Sequence, residues 1–409
     1  MPQKTPLPEE VKTLIRAQRA LGRFSRRSML AGTGALGAGT LLSACGTATK
    51  SSSAGKPSTA EDHSLQEHKV NWANWPAYLD FDENTKKHPT LIDFESKTGI
   101  KPIYAEDIND NNEFYGKIQE QLRMGKDIGR DLFTITDWMA ARVIRQGLVQ
   151  RLDRNIMPNL KNLRADLQNV DYDPGRNFSV TWQSGFTGLA YNTAKMRDLG
   201  VTIKNVDDLW NPKLKNRVMV LSEMRDTLGL IMAQQGVDVK KFTEAQFGNA
   251  LDEFEKRISD GYIRQVAGND YMEALKSGDA LAAFAWSGDV AQLNAEGRGQ
   301  WTFLLPEAGG LLWSDNLMIP VGARHKQNAE ILMNYYFQPD IAAKVAQYVQ
   351  YVCPVVGAKQ AMSRLDPSLV ANKMIFPDEK TLAKAPVIRT LTTQEETTFN
   401  DEFQRALGV

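Results

Sequence analysis

The N-terminal third contains Val70-Asn71-Trp72-Ala73-Asn74-Trp75, then Thr90-Leu91-Ile92-Asp93-Phe94-Glu95-Ser96-Lys97-Thr98-Gly99, then Ile100-Lys101-Pro102-Ile103-Tyr104-Ala105. The first and third segments are rich in β-branched and aromatic residues, which predicts short strands. The middle segment has apolar residues at helical spacing and ends at a glycine, a residue that often closes helices. This order predicts a βαβ unit, and hence a largely parallel sheet covered by helices.

The same alternation continues through the rest of the chain. A helix is predicted near 112–124, a buried strand at 131–136 and a helix at 139–146. Further strand patterns occur at 178–182, 188–191, 217–221, 280–285 and 316–319, with helical patterns such as 244–258 and 327–337 between them. The predicted fold class is therefore α/β, with mixed, mostly parallel sheets flanked by helices.

Composition limits the class of protein. The chain has 409 residues, 42% of them hydrophobic, and 49 basic residues balance 49 acidic ones. This is ordinary globular composition, which excludes a generally basic nucleic-acid binder, and the length predicts at least two domains. The balance conceals an asymmetry, because residues 1–44 hold seven basic residues and two acidic ones. Removing that segment leaves 42 basic and 47 acidic residues, a net charge of −5.

The N-terminus has the layout of an export signal. Arg26 and Arg27 precede a stretch of small and apolar residues, which ends at Leu42-Ser43-Ala44-Cys45. The stretch is shorter than the roughly 20 apolar residues a membrane-spanning helix needs, so a retained transmembrane anchor is not expected. The first motif resembles a twin-arginine signal and the second a bacterial lipobox, whose cysteine becomes an acylated N-terminus. We therefore expect a signal peptide at 1–44, lipidation at Cys45 and a flexible tether at 45–68.

Cysteine usage fits this interpretation. Cys353 is the one other cysteine, and a lipidated Cys45 cannot form a disulfide with it. The neighbours of Cys353 are apolar, which predicts a buried, inert thiol rather than a nucleophile.

The sequence lacks the common short motifs of enzymes. The sequence has no Gly-x-Ser-x-Gly elbow, no phosphate-binding glycine loop, no His-Glu-x-x-His and no Cys-x-x-Cys. Its four histidines lie outside apolar strand ends, which weakens mechanisms that depend on histidine. The acidic pair Glu223 and Asp226 leaves a glycosidase-like hydrolase open. No metal or cofactor site is predicted.

The informative pattern is a set of aromatic and acidic residues at predicted strand ends. Open α/β sheets bind ligands at the carboxyl ends of their strands. Indole faces combined with carboxylates suit an organic cation. The aromatic members are Trp75, Tyr78, Trp138, Trp286 and Trp313, and the acidic members are Asp137, Glu223, Asp226, Asp289 and Asp315.

Longer motifs resemble a known family, the spermidine/putrescine-binding proteins of bacterial ABC importers. The resemblance covers nearly all of residues 69–409, and no single short motif within it would suffice. It is carried by Asn74-Trp75-Pro76-Ala77-Tyr78, Phe94-Glu95 with Thr98-Gly99-Ile100, Asp131-Leu132, Gln146-Gly147-Leu148-Val149-Gln150-Arg151-Leu152-Asp153, Asp207-Asp208-Leu209-Trp210-Asn211-Pro212, Tyr271-Met272, Ala285-Trp286-Ser287-Gly288-Asp289, Pro306-Glu307 with Gly309-Gly310, Trp313-Ser314-Asp315-Asn316 and Pro339-Asp340-Ile341-Ala342.

The resemblance implies a type II periplasmic-binding-protein fold, in which two lobes close over a ligand and the chain crosses the hinge more than once. Lobe 1 would comprise 69–187 and 313–358, and lobe 2 would comprise 188–312 and 359–409. The family further implies a monomer that delivers its solute to a permease, on the outer face of the membrane or in the periplasm, with no nucleic acid and no cofactor.

The resemblance also implies roles for individual residues. The first lobe's side of the cleft would be lined by Trp75, Tyr78, Thr136 and Trp138. Glu223 and Asp226 would bind one ammonium end of the ligand and Asp315 the other charged nitrogen. Trp286 and Trp313 would enclose the methylene chain, and Tyr351 would complete the wall.

Three departures from the family pattern leave the solute open. Ala77 stands where polyamine binders carry a glutamate, and we expect Asp137 as a candidate replacement. Arg389 stands where a polar uncharged residue would contact ligand, and a guanidinium suits a carboxylate. Gly268 replaces a serine. A polyamine remains the expected solute, because the rest of the pattern fits one, and an opine or amino-acid conjugate is the alternative. An exported hydrolase that uses Glu223 and Asp226 is the third interpretation of the sequence.

Overall fold

The computed structural model describes residues 57–297 and 300–408. The predictions for the signal segment 1–44, including Arg26 and Arg27, and for the lipidation site Cys45 lie outside the described residues. Within the described part, no helix combines the length and the apolar character that crossing a membrane requires.

The described residues form eleven strands. They are β1 (Lys69–Asn74), β2 (Lys101–Glu106), β3 (Leu132–Thr136), β4 (Asn169–Val170), β5 (Asp173–Pro174), β6 (Val180–Asn192), β7 (Val218–Leu221), β8 (Ile263–Ala267), β9 (Ala282–Trp286), β10 (Trp301–Leu304) and β11 (Leu311–Met318).

The same residues form fourteen α-helices. They are α1 (Ser64–Glu67), α2 (Pro89–Thr98), α3 (Asn111–Arg123), α4 (Asp137–Arg145), α5 (Thr193–Leu199), α6 (Met224–Gln234), α7 (Glu244–Ser259), α8 (Tyr271–Lys276), α9 (Ser287–Ala295), α10 (Lys326–Tyr336), α11 (Pro339–Val349), α12 (Ala358–Leu365), α13 (Glu379–Ala383) and α14 (Thr393–Leu407). Short 3₁₀ helices lie at Pro158–Asn162, Ala165–Leu167, Val206–Trp210, Pro212–Leu214 and Pro367–Leu369.

Nine of the strands form one mixed sheet, in the order β2-β1-β3-β11-β6-β9-β7-β8, with β10 paired to β6. The flanks are parallel, because β1 pairs in parallel with β2 and β3, and β7 with β8 and β9. The long central strands β6 and β11 pair antiparallel with each other and with the flanks. The two parallel groups are the sheets of the two lobes, and β6 and β11 connect them. The predicted α/β fold class is confirmed.

One strand differs from the sequence prediction. Patterns at 178–182 and 188–191 predicted two strands, but residues Val180–Asn192 form one continuous strand. The apparent break contains Gly185, which lies opposite Trp313 in the ladder. A Cβ at this position would lie 2.3 Å from the Trp313 ring, so this glycine makes room for an indole and forms no turn.

The cores of the two lobes form around aromatic residues. In the first, the buried Trp72 indole donates a hydrogen bond of 2.9 Å to Thr134 Oγ1 and lies edge-on to Trp182. In the second, the C-terminal helix α14 stacks Phe399 on Phe247 of α7 at 3.8 Å between ring centroids. This contact fixes the position of α14 beside the sheet.

The end of the predicted tether is bound to the body of the protein. Ala60 and His63 donate backbone hydrogen bonds to the carbonyls of Val321 and Arg324. Asn328 donates both its backbone and its side-chain amide to Ser64. Residues 57–68 are therefore packed against the first lobe rather than separate from it.

Cys353 is buried and forms no disulfide within the described residues, where it is the one cysteine. Burial raises the pKa of its thiol to about 11, as expected for an inert cysteine.

Candidate functional site

A cavity with an empty volume of about 420 Å³ lies where the carboxyl ends of the two parallel strand groups face each other. The lining residues are Trp75, Pro76, Tyr78, Thr136, Glu223, Asp226, Asn269, Trp286, Asp289, Trp313, Asp315 and Tyr351.

Strand ends explain why these residues converge. Trp75 follows β1, Thr136 ends β3 and Trp286 ends β9. Glu223 directly precedes α6, the helix after β7, and Asp226 lies in the first turn of that helix. The site therefore follows from the sheet topology, because parallel strands bring their carboxyl ends to one edge.

Four carboxyl groups line the cavity, and its lining contains no lysine, arginine or histidine. Glu223, Asp226 and Asp315 are each less than a tenth exposed. Burial raises the pKa of Asp226 and Asp289 to about 6 and that of Asp315 to about 7. Burial, together with the negative charges of Asp110 and Asp226, raises the pKa of Glu223 to about 8. Burial thus disfavours the charged forms of these groups, and a cation bound among them would stabilise those forms.

Each carboxylate is held by neutral donors. Asp226 accepts hydrogen bonds from Thr187 Oγ1 at 2.8 Å and Trp286 Nε1 at 2.9 Å. Asp315 accepts one from Thr136 Oγ1 at 2.8 Å. The remaining donors are Asn111 and Trp138 to Glu223, and Tyr271 and Tyr351 to Asp289. These bonds orient the carboxylates but leave their charge for a ligand.

Aromatic rings form the rest of the wall in an edge-to-face series. Ring centroids are 6.4 Å apart for Trp286 and Trp313, 5.5 Å for Trp313 and Tyr351, and 5.2 Å for Tyr351 and Tyr78. The indole N–H groups of Trp75 and Trp313 are buried and have no hydrogen-bond partner among the described residues. The wall therefore offers apolar faces together with two free indole donors.

Local backbone features place these side chains. The β6–β11 register shifts between Asp315, opposite Gln183, and Asn316, opposite Thr181. Such an irregularity changes the direction of a side chain at the edge of a ladder. Gly288 plays a similar part for Tyr351, because a Cβ at position 288 would lie 2.3 Å from the tyrosine ring.

Nine of the twelve predicted ligand contacts share this cavity, and Asp137, Trp138 and Arg389 do not. Those three line an adjoining cavity instead. Arg389 forms a two-bond ion pair with Glu395, at 2.6 and 3.0 Å. Trp138 reaches the first cavity indirectly, through the 3.0 Å hydrogen bond of its indole Nε1 to Glu223.

Position 77 carries no carboxylate, and Asp137 does not supply one to the main cavity. Ala77 has a left-handed backbone (φ 54°), and its carbonyl accepts a hydrogen bond from Gln292. Asp289 also lines the cavity, although it is not among the twelve predicted ligand contacts. Its signal in the sequence is its place three residues after Trp286, about one helical turn away.

Asn269 and Pro76 also line the cavity and were not predicted, because neither carries charge or a large aromatic surface. Asn269 belongs to a contact between the lobes, in which its backbone N–H donates to the Asn109 carbonyl at 3.3 Å. A Cβ at Gly268 would lie 2.6 Å from the same carbonyl oxygen. The glycine that departs from the family pattern thus permits this close approach.

Fold and cavity together define a class: two-lobed α/β proteins that enclose a small solute between the carboxyl ends of their strands. Comparison with known proteins agrees. Residues 91–369 match the family described as bacterial extracellular solute-binding protein. The chain belongs to this family, whose members are solute-binding proteins of ABC transporters and not enzymes. The hydrolase interpretation of Glu223 and Asp226 is therefore wrong.

Individual relatives share low sequence identity with this chain. The spermidine/putrescine-binding periplasmic protein of Salmonella typhimurium is 26% identical over 314 residues, which cover 76% of this chain and 84% of the relative. A solved structure titled putative spermidine/putrescine ABC transporter, from Listeria monocytogenes, has a TM-score of 0.71 at 23% identity, covering 83% and 99% of the two chains. The spermidine/putrescine substrate-binding protein PotD of Streptococcus pneumoniae has a TM-score of 0.66 at 23% identity, covering 83% and 98%.

Proposed function

We propose that this protein captures a polyamine of the spermidine or putrescine type outside the cytoplasm and delivers it to the permease of an ABC transporter. The observation that carries the proposal is the lining of the main cavity, with four carboxyl groups and no basic side chain. Burying such groups costs free energy unless a cation compensates them. The names of the relatives support the same class of solute.

The wall supports the chain of a polyamine as well as its charges. Methylene groups gain from contact with the Trp286 and Trp313 rings, and ammonium groups gain from the ring faces through cation–π attraction. Carboxylates from both lobes would bind the two ends, with Glu223 and Asp226 on one side and Asp315 on the other. The separation of these groups would then select for the length of the solute.

Closure of the lobes is the mechanism we propose for capture. Three hydrogen bonds that span the proposed cleft support a closed form: Asn269 to Asn109, Gln292 to Ala77, and Asn111 to Glu223. A solute that contacts both lobes stabilises this form to the extent that it binds it more tightly than the open one. The closed form would then dock on the permease as a monomer. We place the two lobes at 69–187 with 313–358 and at 188–312 with 359–409.

Calorimetric titration with putrescine, spermidine and spermine tests the solute. We expect saturable binding of at least one of them, and no binding of a dicarboxylate such as succinate. Binding of none of the three amines would overturn the polyamine proposal. The place of the protein in the solute-binding family would remain.

One observation favours a second candidate, a solute that carries an acceptor as well as an amine, such as an opine or amino-acid conjugate. The buried indole N–H groups of Trp75 and Trp313 have no partner among the described residues, and a protonated polyamine offers them no acceptor. Titration with arginine- or lysine-derived conjugates would support this candidate if they bind more tightly than all three polyamines.

Anchoring rests on the sequence motif at Cys45. We propose export by the twin-arginine route and acylation of this cysteine, which would hold the protein on the outer face of the membrane. Labelling cells with radioactive palmitate should mark the wild-type protein and leave Cys45→Ser unlabelled. Equal labelling of both would contradict the anchor.

A further inference from the structure

Arg225 lies between two cavity carboxylates in sequence, Glu223 and Asp226, yet its side chain lines the adjoining cavity. Its guanidinium carbon lies 4.2 Å from the centroid of the Trp138 ring. It is 8% exposed and, among the described residues, donates no hydrogen bond. Within the described part of the chain its one ion pair is long, with 3.5 Å between Nη2 and Glu396 Oε1. A buried guanidinium with so few partners is held mainly by its electrostatic surroundings.

Glu396 lies at the centre of the charged groups around Arg225. It is 5% exposed and projects from the C-terminal helix α14. It forms ion pairs with Arg142 at 3.0 Å and Arg145 at 2.6 Å, both from α4 of the first lobe, as well as with Arg225 from α6 of the second. A single carboxylate thus pairs with three guanidinium groups, and those of Arg142 and Arg225 also lie over the Trp138 ring.

The cavity carboxylates are the competing partners for Arg225. Burial raises the pKa of Glu223 and Asp226, and the positive charge of Arg225 offsets part of that rise in both. A guanidinium turned toward them would pair with both carboxylates in a bidentate manner. It would neutralise the charge that a cationic solute requires and would occupy part of the same space.

We propose that Glu396 is a positioning residue for solute binding: it holds the Arg225 guanidinium over the Trp138 ring in the adjoining cavity, which leaves Glu223 and Asp226 free for the solute. The consequence for affinity rests on the proposed cationic solute. The position of the Arg225 side chain does not depend on the identity of the solute. The structural part and the affinity part of the proposal can therefore be overturned separately.

The crystal structure of the ligand-free Glu396→Gln protein tests the position. We expect the Arg225 guanidinium within about 4 Å of the Glu223 or Asp226 carboxylate, an ion-pair distance. A guanidinium that stays over Trp138, or that pairs with Asp137 in the adjoining cavity, overturns the proposal whatever solute the protein binds.

Titration of the variants with spermidine tests the consequence. Glu396→Gln should weaken binding about tenfold or more in the wild-type background, and less than about twofold when combined with Arg225→Met, since a double-mutant cycle isolates the coupling of the two residues. Equal losses in both backgrounds would assign Glu396 a purely structural role and overturn the proposal.

Two further variants distinguish the proposed effect from misfolding. Arg225→Met alone should bind spermidine at least as tightly as the wild type, and a clear loss would contradict the proposal because Arg225 would then be needed. Glu395→Gln is the matched control on the same helix, since Glu395 pairs with Arg389 and not with Arg225. It should retain wild-type affinity.

Discussion

At the scale of single residues, Asp315 and Trp313 are the clearest test of the cavity. Asp315→Asn removes a charge that accepts a hydrogen bond from Thr136, and Trp313→Ala removes an aromatic face. Each should weaken polyamine binding by at least about 1 kcal/mol, the usual contribution of a charged hydrogen bond or a cation–π contact. Titration calorimetry gives the value. Asp171→Asn, in the adjoining cavity, serves as the control. Wild-type affinity in both cavity variants would place the solute elsewhere.

A second residue-scale prediction concerns Arg176, which is 1% exposed and has no carboxylate partner among the described residues. Its guanidinium donates five hydrogen bonds to neutral oxygens, including those of Leu167, Thr181 and Asn316. Arg176→Met should lower the free energy of unfolding by about 3 kcal/mol or more, because these buried acceptors lose their donor.

Urea denaturation of Arg176→Met measures this loss. The control is Arg151→Ala, which removes an exposed guanidinium bound to Asn177, and it should change stability by less than about 0.5 kcal/mol. Similar values for the two variants would show that the buried network contributes little.

Residue types and strand ends were sufficient to predict most of the cavity from sequence. Trp75, Trp286 and Trp313 combine large apolar surfaces with positions where parallel strands end, so pattern and topology point to the same place. Asp289 belonged to the acidic set at predicted strand ends, whereas Asn269 could not be predicted, since its position depends on how two loops meet across the cleft. Arg389 was misplaced relative to the main cavity because its partner, Glu395, is defined by the packing of α14.

At the scale of secondary-structure elements, the start of α9 supports the cavity wall. Gly288→Ala would place a Cβ 2.3 Å from the Tyr351 ring and displace it from Asp289. Solute binding should weaken about tenfold, on the order of 1.4 kcal/mol, as expected when a ring and its charged hydrogen bond are both disturbed. Calorimetry and thermal unfolding, measured together, separate this effect from loss of fold.

The matched control for this change is Gly248→Ala in α7, where no atom lies within 4 Å of the added Cβ. That variant should gain about 0.5–1 kcal/mol of stability from helix propensity and keep its affinity. If both glycine variants bind like the wild type, the close packing of Tyr351 on Gly288 does not shape the site.

Elements were predicted best where the pattern was local. The βαβ unit at β1, α2 and β2 follows directly from periodicity and a closing glycine. The continuity of β6 does not, because the reason for Gly185 is the Trp313 ring on a strand more than 120 residues away in sequence. The local pattern around Gly185 indicated a break between two strands, whereas the glycine is explained by packing against the distant Trp313 ring.

At the scale of the whole molecule, pH should move stability and binding in opposite directions. Burial raises the pKa of Asp226 and Asp315 to about 6 and 7, above the ordinary value near 4 in the unfolded chain. The folded protein therefore holds protons that the unfolded chain has lost, and the ligand-free protein loses stability as pH rises from about 4 to 7. A cationic solute needs the deprotonated forms, so its affinity rises over the same interval.

Thermal unfolding with and without spermidine, recorded between pH 5 and pH 8, checks this prediction. The melting temperature of the ligand-free protein should fall with rising pH, and the increase that saturating spermidine adds should grow. A ligand-induced increase that is independent of pH would show that these carboxyl groups do not titrate on binding.

The central strands β6 and β11 have hydrogen-bonded neighbours on both sides, whereas the contact between Asn109 and Asn269 spans the cleft by a few bonds. Amide protons in these two places should exchange with solvent on different timescales. Those of β6 and β11 exchange when the whole chain unfolds, and the Asn269 amide exchanges each time the cleft opens. Its exchange rate would therefore report how often the cleft opens far enough for an enclosed solute to leave.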